Sequence, residues 1–273
     1  MNKRQDSPLG RATDYPDRYD ASLLFPIARA EQRAALGIAD TMPFTGADLW
    51  TAYEISWLDP RGKPQLAIAS FRVPADSPAI VESKSLKLYL GSYAQESLPD
   101  RDALARRITA DLTRACGARV EVALTPSVGF EGLAISELPG ESLDNIEIAV
   151  DAYTPAKELL VAADPPAEET LRSALFRSNC PVTGQPDYAD ILVRYRGPRI
   201  DRAALLRYLV SYRKHAAFHE ACVERIFIDV LERCRPQALT VYARFMRRGG
   251  IDINPFRSNV EAAPSSSDRT PRQ

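Results

Sequence analysis

The chain has four cysteines and two histidines, so thiol or imidazole chemistry has few places to sit. Cys180 stands apart from the other three cysteines. It lies in Phe176-Arg177-Ser178-Asn179-Cys180-Pro181-Val182-Thr183-Gly184-Gln185-Pro186-Asp187-Tyr188-Ala189-Asp190, a stretch broken by two prolines and a glycine. Proline fixes φ and glycine frees it, so this stretch is expected to form a shaped turn. A thiol on such a turn is exposed and can face a cleft, where a nucleophile belongs. A carboxylate, Asp187, follows seven residues later. The competing reading is a loop cysteine with no role.

Two further groups of residues could carry chemistry. Phe218-His219-Glu220 falls near the start of the last long helix, and Val81-Glu82-Ser83-Lys84-Ser85 immediately precedes the first helix of the N-terminal half. Each has a plainer explanation. His219 could be a satisfied helix-terminal histidine and Glu220 a first-turn carboxylate favoured by the helix dipole. Ser83 could cap the following helix, with Lys84 and Lys87 on its solvated face. His215 and His219 have the i, i+4 spacing of a zinc pair, but the order is His-x-x-x-His-Glu and a third ligand is not evident. Lys214 and His215 fit better as a helix end, and Cys222 and Cys234 as core residues. No Gly-x-Gly-x-x-Gly follows a strand and no phosphate-binding Gly-x-x-x-x-Gly-Lys-Ser/Thr is present. The residues alone point to thiol chemistry on an anion- or heterocycle-binding α+β protein.

The elements that must position these groups are legible as periodicities. Leu49, Thr51, Tyr53, Ile55 and Trp57 alternate as a strand, and Arg61-Gly62-Lys63-Pro64 turns the chain into a second strand over 65–73. Leu86, Tyr89, Leu90 and Tyr93 have helical spacing. A second helix opens at Pro99-Asp100, carries Leu104, Ile108 and Leu112, and ends near Cys116-Gly117. Strands are expected at 120–124 and 146–150, which makes the first half β-β-α-α-β-β. Residues 161–170 look like a connector. After the Cys180 loop come a strand through Ile191, Val193 and Tyr195, a helix through Leu205, Tyr208, Leu209 and Tyr212, and a helix carrying Val223, Phe227, Val230, Leu231 and Cys234. A strand from Leu239 to Phe245 follows, ended by Gly249-Gly250. Shifting residues 82–93 by 119 gives five identities in twelve positions, among them Tyr89 with Tyr208 and Tyr93 with Tyr212. The repeat favours two related modules. The expected division is an arm at 1–22, modules at 23–160 and 161–260, and a disordered tail at 261–273.

Composition excludes several classes. Hydrophobic and charged fractions of 45% and 26% are those of a soluble globular protein, and a net charge of −1 gives no global field for nucleic acid or anionic membrane. No apolar run reaches transmembrane length and the first residues lack a signal-peptide core, so a cytoplasmic protein with reduced thiols is expected.

The motifs taken together carry a resemblance. Ser-Asn-Cys-Pro-Val-Thr-Gly-Gln-Pro-Asp at 178–187, Glu-Ser-Lys-Ser-Leu-Lys at 82–87, Phe-His-Glu at 218–220 and Arg-Arg-Gly-Gly-Ile-Asp-Ile-Asn-Pro at 247–255 resemble the NADPH-dependent 7-cyano-7-deazaguanine reductases. These are the nitrile reductases of queuosine biosynthesis, a tRNA modification, and the chain is similar to their longer, two-module form. The resemblance implies a tunnelling fold: two tandem β-β-α-α-β-β modules with antiparallel sheets. It implies an oxidoreductase that reduces the nitrile of 7-cyano-7-deazaguanine to the amine with two NADPH as co-substrate. Cys180 would form a covalent thioimide, Asp187 would protonate the nitrile nitrogen, and His219 would assist proton transfer. Val81, Glu82, Ser83, Phe218, His219 and Glu220 would bind the substrate. Ser83, Lys84, Arg248 and Gly249 would contact NADPH, with no metal. The resemblance further implies a homodimer and a pocket shared by the two modules, and gives no role to direct nucleic-acid or membrane binding.

Three other functions remain open on sequence. A zinc enzyme similar to the GTP cyclohydrolases would use Cys180, His215 and His219. A thiol-dependent nitrile hydrolase would use Cys180 and His219 without NADPH, and a base-binding module would use no nucleophile.

Overall fold

The structure is a computed structural model that describes residues 16–38 and 41–273. Most of the expected N-terminal arm, residues 1–15, lies outside the described residues. Its described end is docked: the Tyr19 hydroxyl donates to Asp111 Oδ2 at 2.6 Å. The chain forms two compact units. Unit 1 takes residues up to Glu31, Asp48–Leu133 and Arg247–Asp252; unit 2 takes Gln32–Ala47, Ala134–Met246 and Ile253–Gln273. Unit 2 therefore also holds residues 134–160.

The first elements are β1 (Pro26–Ala28), α1 (Ala30–Ala35), β2 (Thr45–Leu58), β3 (Pro64–Pro74), β4 (Ala79–Val81), α2 (Ser83–Gly91), α3 (Arg101–Cys116) and β5 (Glu121–Pro126). Unit 1 orders its main strands β5-β3-β2, and β1 pairs with β4 in a separate two-stranded sheet. The β2–β3 hairpin forms where expected. Its buried face changes phase, from Trp50 and Ala52 to Ile55 and Trp57, so Leu49 and Thr51 are only half-buried. Helix α3 starts and stops on its local chemistry. Asp100 accepts from Ala103 N–H at 2.6 Å at one end. Gly117, at φ 69°, takes the left-handed cap at the other. The strand expected at 146–150 is not formed. Its residues alternate in burial but have no strand partner, so the alternation reports a half-covered surface segment.

The remaining elements are β6 (Glu141–Ser142), β7 (Ala162–Asn179), β8 (Pro186–Ile200), α4 (Arg202–Val210), α5 (His219–Cys234), β9 (Ala238–Phe245) and β10 (Ile251–Ser258). In unit 2 the sheet order is β10-β9-β8-β7-β6, antiparallel except for β6 on β7. From β7 to β10 this is the complete β-β-α-α-β-β order. The stretch 161–170 is no connector, because β7 runs through it paired with β8. Prolines at 165 and 166 disguise it. The register shifts between Ala163 and Pro166, and irregular pairing of this kind is where a strand tolerates proline. A second shift between Ser173 and Phe176 marks a bulge in β7. Asp144 captures it, accepting from Ser173 Oγ at 2.6 Å and Ala174 N–H at 2.9 Å.

The repeat seen in sequence is a repeat of buried polar architecture. Tyr89 Oη lies 2.8 Å from Tyr93 Oη and donates to Asp111 Oδ2 at 2.7 Å. In unit 2, Tyr208 Oη lies 2.8 Å from Tyr212 Oη and donates to Asp229 Oδ2 at 2.7 Å. The serines that follow, Ser92 and Ser211, each bond back to the first tyrosine's carbonyl at 2.6 Å. Unit 2 adds a buried ion cluster in which Glu224 Oε1 accepts from Arg33 Nη2 at 2.7 Å and Arg257 Nη2 at 2.8 Å. The tail expected to be disordered is packed. Gln273 is buried; its side chain donates to Phe245 O and Asn254 Oδ1 and accepts from Arg244 Nε. No helix among the described residues is long and apolar enough to cross a membrane.

Candidate active site

The β7–β8 connection builds the Cys180 turn. Cys180 N–H donates to Gln185 O at 2.8 Å and Gly184 N–H donates to Cys180 O at 3.0 Å, closing a compact loop. Gly184 has φ +70°, a conformation that a side chain would strain. Ser178 pairs across the ladder with Asp187, and Cys180 lies two residues beyond Ser178, one past the end of β7. Cys180 is half-buried, and the other three thiols are buried. Burial pushes the Cys222 thiol up to about 12 and the Cys234 thiol up to about 11.

A second segment closes on this turn. Asn179 N–H donates to His215 O at 2.8 Å, Ala217 N–H donates to Asn179 O at 3.1 Å, and the Asn179 amide donates to Arg213 O at 3.1 Å. This strap delivers the first turn of α5. His219 Nε2 then lies 3.4 Å from Asp187 Oδ2, and its ring stacks on Phe245 at 3.9 Å. Phe245 comes from β9, opposite Ala189 of β8. Glu220 is buried in the first turn of α5. Phe218 is the residue before that helix and gives it no side-chain cap. Unit 2 therefore places Asp187 and His219 in one side-chain cluster, with the Cys180 turn held beside it. It turns His215 elsewhere: the ring meets Tyr212 edge-on at 5.4 Å, and burial, with the nearby Arg225 charge, holds its pKa at about 4. No three His, Cys, Asp or Glu side chains among the described residues could jointly hold a metal.

In unit 1, Glu82 rather than Ser83 caps α2. Its carboxylate accepts from Lys84 N–H at 2.7 Å, Ser85 N–H at 2.9 Å and Ser83 Oγ at 3.3 Å. Val81 and Glu82 are buried, and Ser83 and Lys84 half-buried. Arg248 and Gly249, far away in sequence, come to the same helix. They sit in a tight turn in which Arg248 N–H donates to Ile251 O at 2.9 Å. Gly249 and Gly250 hold φ of 57° and 78°. A Cβ on Gly249 would stand 3.1 Å from Lys87 Cδ, one turn along α2 from Ser83 and Lys84. The turn is anchored to β2: Tyr53 N–H donates to Gly250 O at 2.9 Å, Tyr53 Oη to Asp252 Oδ2 at 2.6 Å, and Arg247 lies over the Tyr53 ring at 4.5 Å.

Sequence reasoning missed Asn179, Phe245, Tyr53 and Asp252 as positioning residues. Asn179 carried a signal, an amide between a strand and a proline turn. Phe245 reads as one more core position, and nothing local marks its stacking partner.

A family model described as "Nitrile reductase, 7-cyano-7-deazaguanine-reductase N-term" matches residues 15–124, and one described as "QueF-like protein" matches residues 186–264. The chain is 56% identical over 271 residues to the NADPH-dependent 7-cyano-7-deazaguanine reductase of Burkholderia vietnamiensis, covering 98% of this chain and 99% of that one. It belongs to the 7-cyano-7-deazaguanine reductase family. Proteins of the same name from Paraburkholderia xenovorans (55% identical over 271 residues, 98% and 99% covered) and Bordetella parapertussis (56% over 269, 98% of each) are similarly related. Within this family's models, Glu82 to Lys84 fall in the first matched segment, and Asp187, His219, Glu220, Arg248 and Gly249 in the second. Cys180 lies in the interval between them, which the full-length reductases also span.

Proposed function

We propose that the chain catalyses the NADPH-dependent reduction of the nitrile of 7-cyano-7-deazaguanine to 7-aminomethyl-7-deazaguanine, a step of queuosine biosynthesis. The observation that carries this reading is membership of the reductase family along the whole chain. The site chemistry is compatible. A nitrile carbon is a poor hydride acceptor, so Cys180 adds to it first and a C–S bond forms. As one C≡N π pair moves to nitrogen, the nitrogen takes a proton from Asp187, giving a thioimide on Cys180. The thiol proton goes to the Asp187–His219 pair, so the addition consumes and releases nothing. Bound NADPH supplies hydride, and a nitrile needs two such reductions to become an amine.

The residues of unit 1 fit a phosphorylated dinucleotide. The 248–251 turn, which carries Arg248, meets α2 at Lys87, one turn from Lys84, and the glycines there let a ligand approach backbone. Ser83, Lys84, Arg248 and Gly249 are assigned to hold it. Glu82 and Glu220 are assigned to the ring N–H and amino donors of the guanine-like edge, Val81 and Phe218 to its faces. The protein is assigned as a cytoplasmic homodimer that takes a free base and no nucleic acid.

The test is stoichiometric. Purified protein given NADPH and 7-cyano-7-deazaguanine should oxidise two NADPH per substrate without releasing ammonia. Ammonia release with NADPH untouched would replace the reductase by a hydrolase.

A further inference from the structure

Unit 2 contains an open groove on the Cys180 turn that the proposed reaction does not use. Its walls include Tyr153, Arg177, Asn179, Gly184, Arg213 and Lys214. Three of these are permanent cations and none is a carboxylate. Arg177, Arg213 and Lys214 have no carboxylate partner among the described residues. Arg177 is held in place rather than waving in solvent: its Nη2 donates to Asn179 Oδ1 at 3.2 Å and its guanidinium lies 5.8 Å over Tyr188. Its Nε is enclosed and has no hydrogen-bond partner. Lys214 is fixed at its backbone, donating to Tyr153 O at 3.0 Å, while its ammonium lies 5.8 Å over the Tyr153 ring.

We propose that this groove is an anion site for a phosphate-bearing ligand. Three like charges in one groove repel one another, and the arrangement is relieved when an anion with several acceptor oxygens sits among them. A phosphate group suits two guanidinium forks and one ammonium, and the Tyr153 ring offers a flat apolar edge beside them. The ligand would also act on the strap. Arg213 and Lys214 immediately precede His215, and the carbonyls of Arg213 and His215 accept from Asn179, the residue before Cys180. Filling the groove therefore stiffens the segment that holds Cys180 and the start of α5 in register.

The phosphate could come free or on a nucleotide, and titration calorimetry on the full chain at fixed ionic strength separates the sources. The probes are inorganic pyrophosphate and adenosine 2′,5′-bisphosphate. At least one should bind the wild type, and the double variant Arg213→Gln, Lys214→Gln should bind it at least roughly ten-fold more weakly. The same weakening should appear in a Lys84→Gln background, where the unit 1 residues assigned to NADPH compete less for the probe, and its absence there overturns the proposal. Binding of pyrophosphate identifies a free inorganic anion as sufficient; binding of the bisphosphate alone identifies a nucleotide. If neither probe binds, or if the double variant binds as the wild type does, the site does not exist. Should the double variant fail to fold, chloride titration of the wild type decides: affinity must fall steeply with salt, and a salt-independent affinity overturns the proposal.

Discussion

His219 Nε2 stands 3.4 Å from Asp187 Oδ2, and both side chains are almost enclosed. The pair joins two elements distant in sequence, the first residues of β8 and the first turn of α5. A contact of this kind can hold or pass a proton next to a thiol. If Asp187 is the proton donor, Asp187→Asn keeps the shape and removes the acid. It should lower kcat roughly 10²–10⁴-fold with little change in the unfolding midpoint. NADPH oxidation under saturating substrate reads this, and a kcat within a few-fold of wild type would remove Asp187 from the chemistry.

The four thiols should differ sharply in reactivity. The thiolate is the reactive form, and burial keeps Cys222 and Cys234 protonated until about pH 12 and about pH 11. Cys116 is buried, and Cys180 alone is half-exposed. Limited alkylation of the folded protein near pH 8, followed by peptide mapping, should place the label on Cys180. Label spread evenly over Cys116, Cys222 and Cys234 would mean the turn does not present its thiol.

His215 gives a pH dependence with a definite sign. Its folded pKa is held at about 4, against 6.5 for the free side chain, first by burial and then by Arg225. Between those values the unfolded chain takes up a proton that the folded one refuses. Stability should therefore rise with pH through this window, be complete above it, and fall on acidification. His215→Phe removes the titration while keeping a ring against Tyr212. Urea midpoints between about pH 4.5 and about pH 7 should vary less in the variant than in the wild type. Identical pH profiles would show that His215 is not buried neutral.

The two Tyr–Tyr–Asp clusters should not be equally tolerant. Tyr208→Phe removes the tyrosine hydroxyl that donates to Asp229, and should cost about 1–3 kcal/mol. Asp111 in unit 1 also accepts from Tyr19 at 2.6 Å on the same oxygen and from Arg114 Nη1 at 3.2 Å on the other, so Tyr89→Phe leaves it two donors. Tyr89→Phe should fall at the lower end of that range. Denaturant unfolding of the two variants compares them, and a larger loss for Tyr89→Phe would contradict the bonding described.

Much of this was legible because local chemistry and tertiary need agree. The Asp100 cap, the Gly117 stop and the stripe of α5 announce themselves, and Tyr89/Tyr93 against Tyr208/Tyr212 announces the duplication. The failures have physical causes. At 162–170 prolines hide a strand that tolerates them through an irregular register. At 146–150 alternation appears without a partner to bond. In β2 the buried face changes phase near Tyr53, which no fixed period anticipates. Of the candidate site, Cys180, Asp187 and His219 are identifiable in sequence as residue types in motifs. What could not be read was the means of holding them: the strap from Asn179 to residues 213–217, the stacking of His219 on Phe245, and the capture of the β7 bulge by Asp144.

The duplicated helix hairpins also create a hazard for the nascent chain. Two segments that bury the same Tyr–Tyr–Asp arrangement are each a plausible partner for the other's strands while folding is incomplete. The differences between the copies then act as addresses. Tyr19 donates to Asp111 and packs on the Tyr89 and Tyr93 rings, and the Arg33–Glu224–Arg257 cluster is built on α5. A mispaired copy would strand those buried charges without their counterparts, at a cost of several kcal/mol, and so be driven back toward the correct pairing.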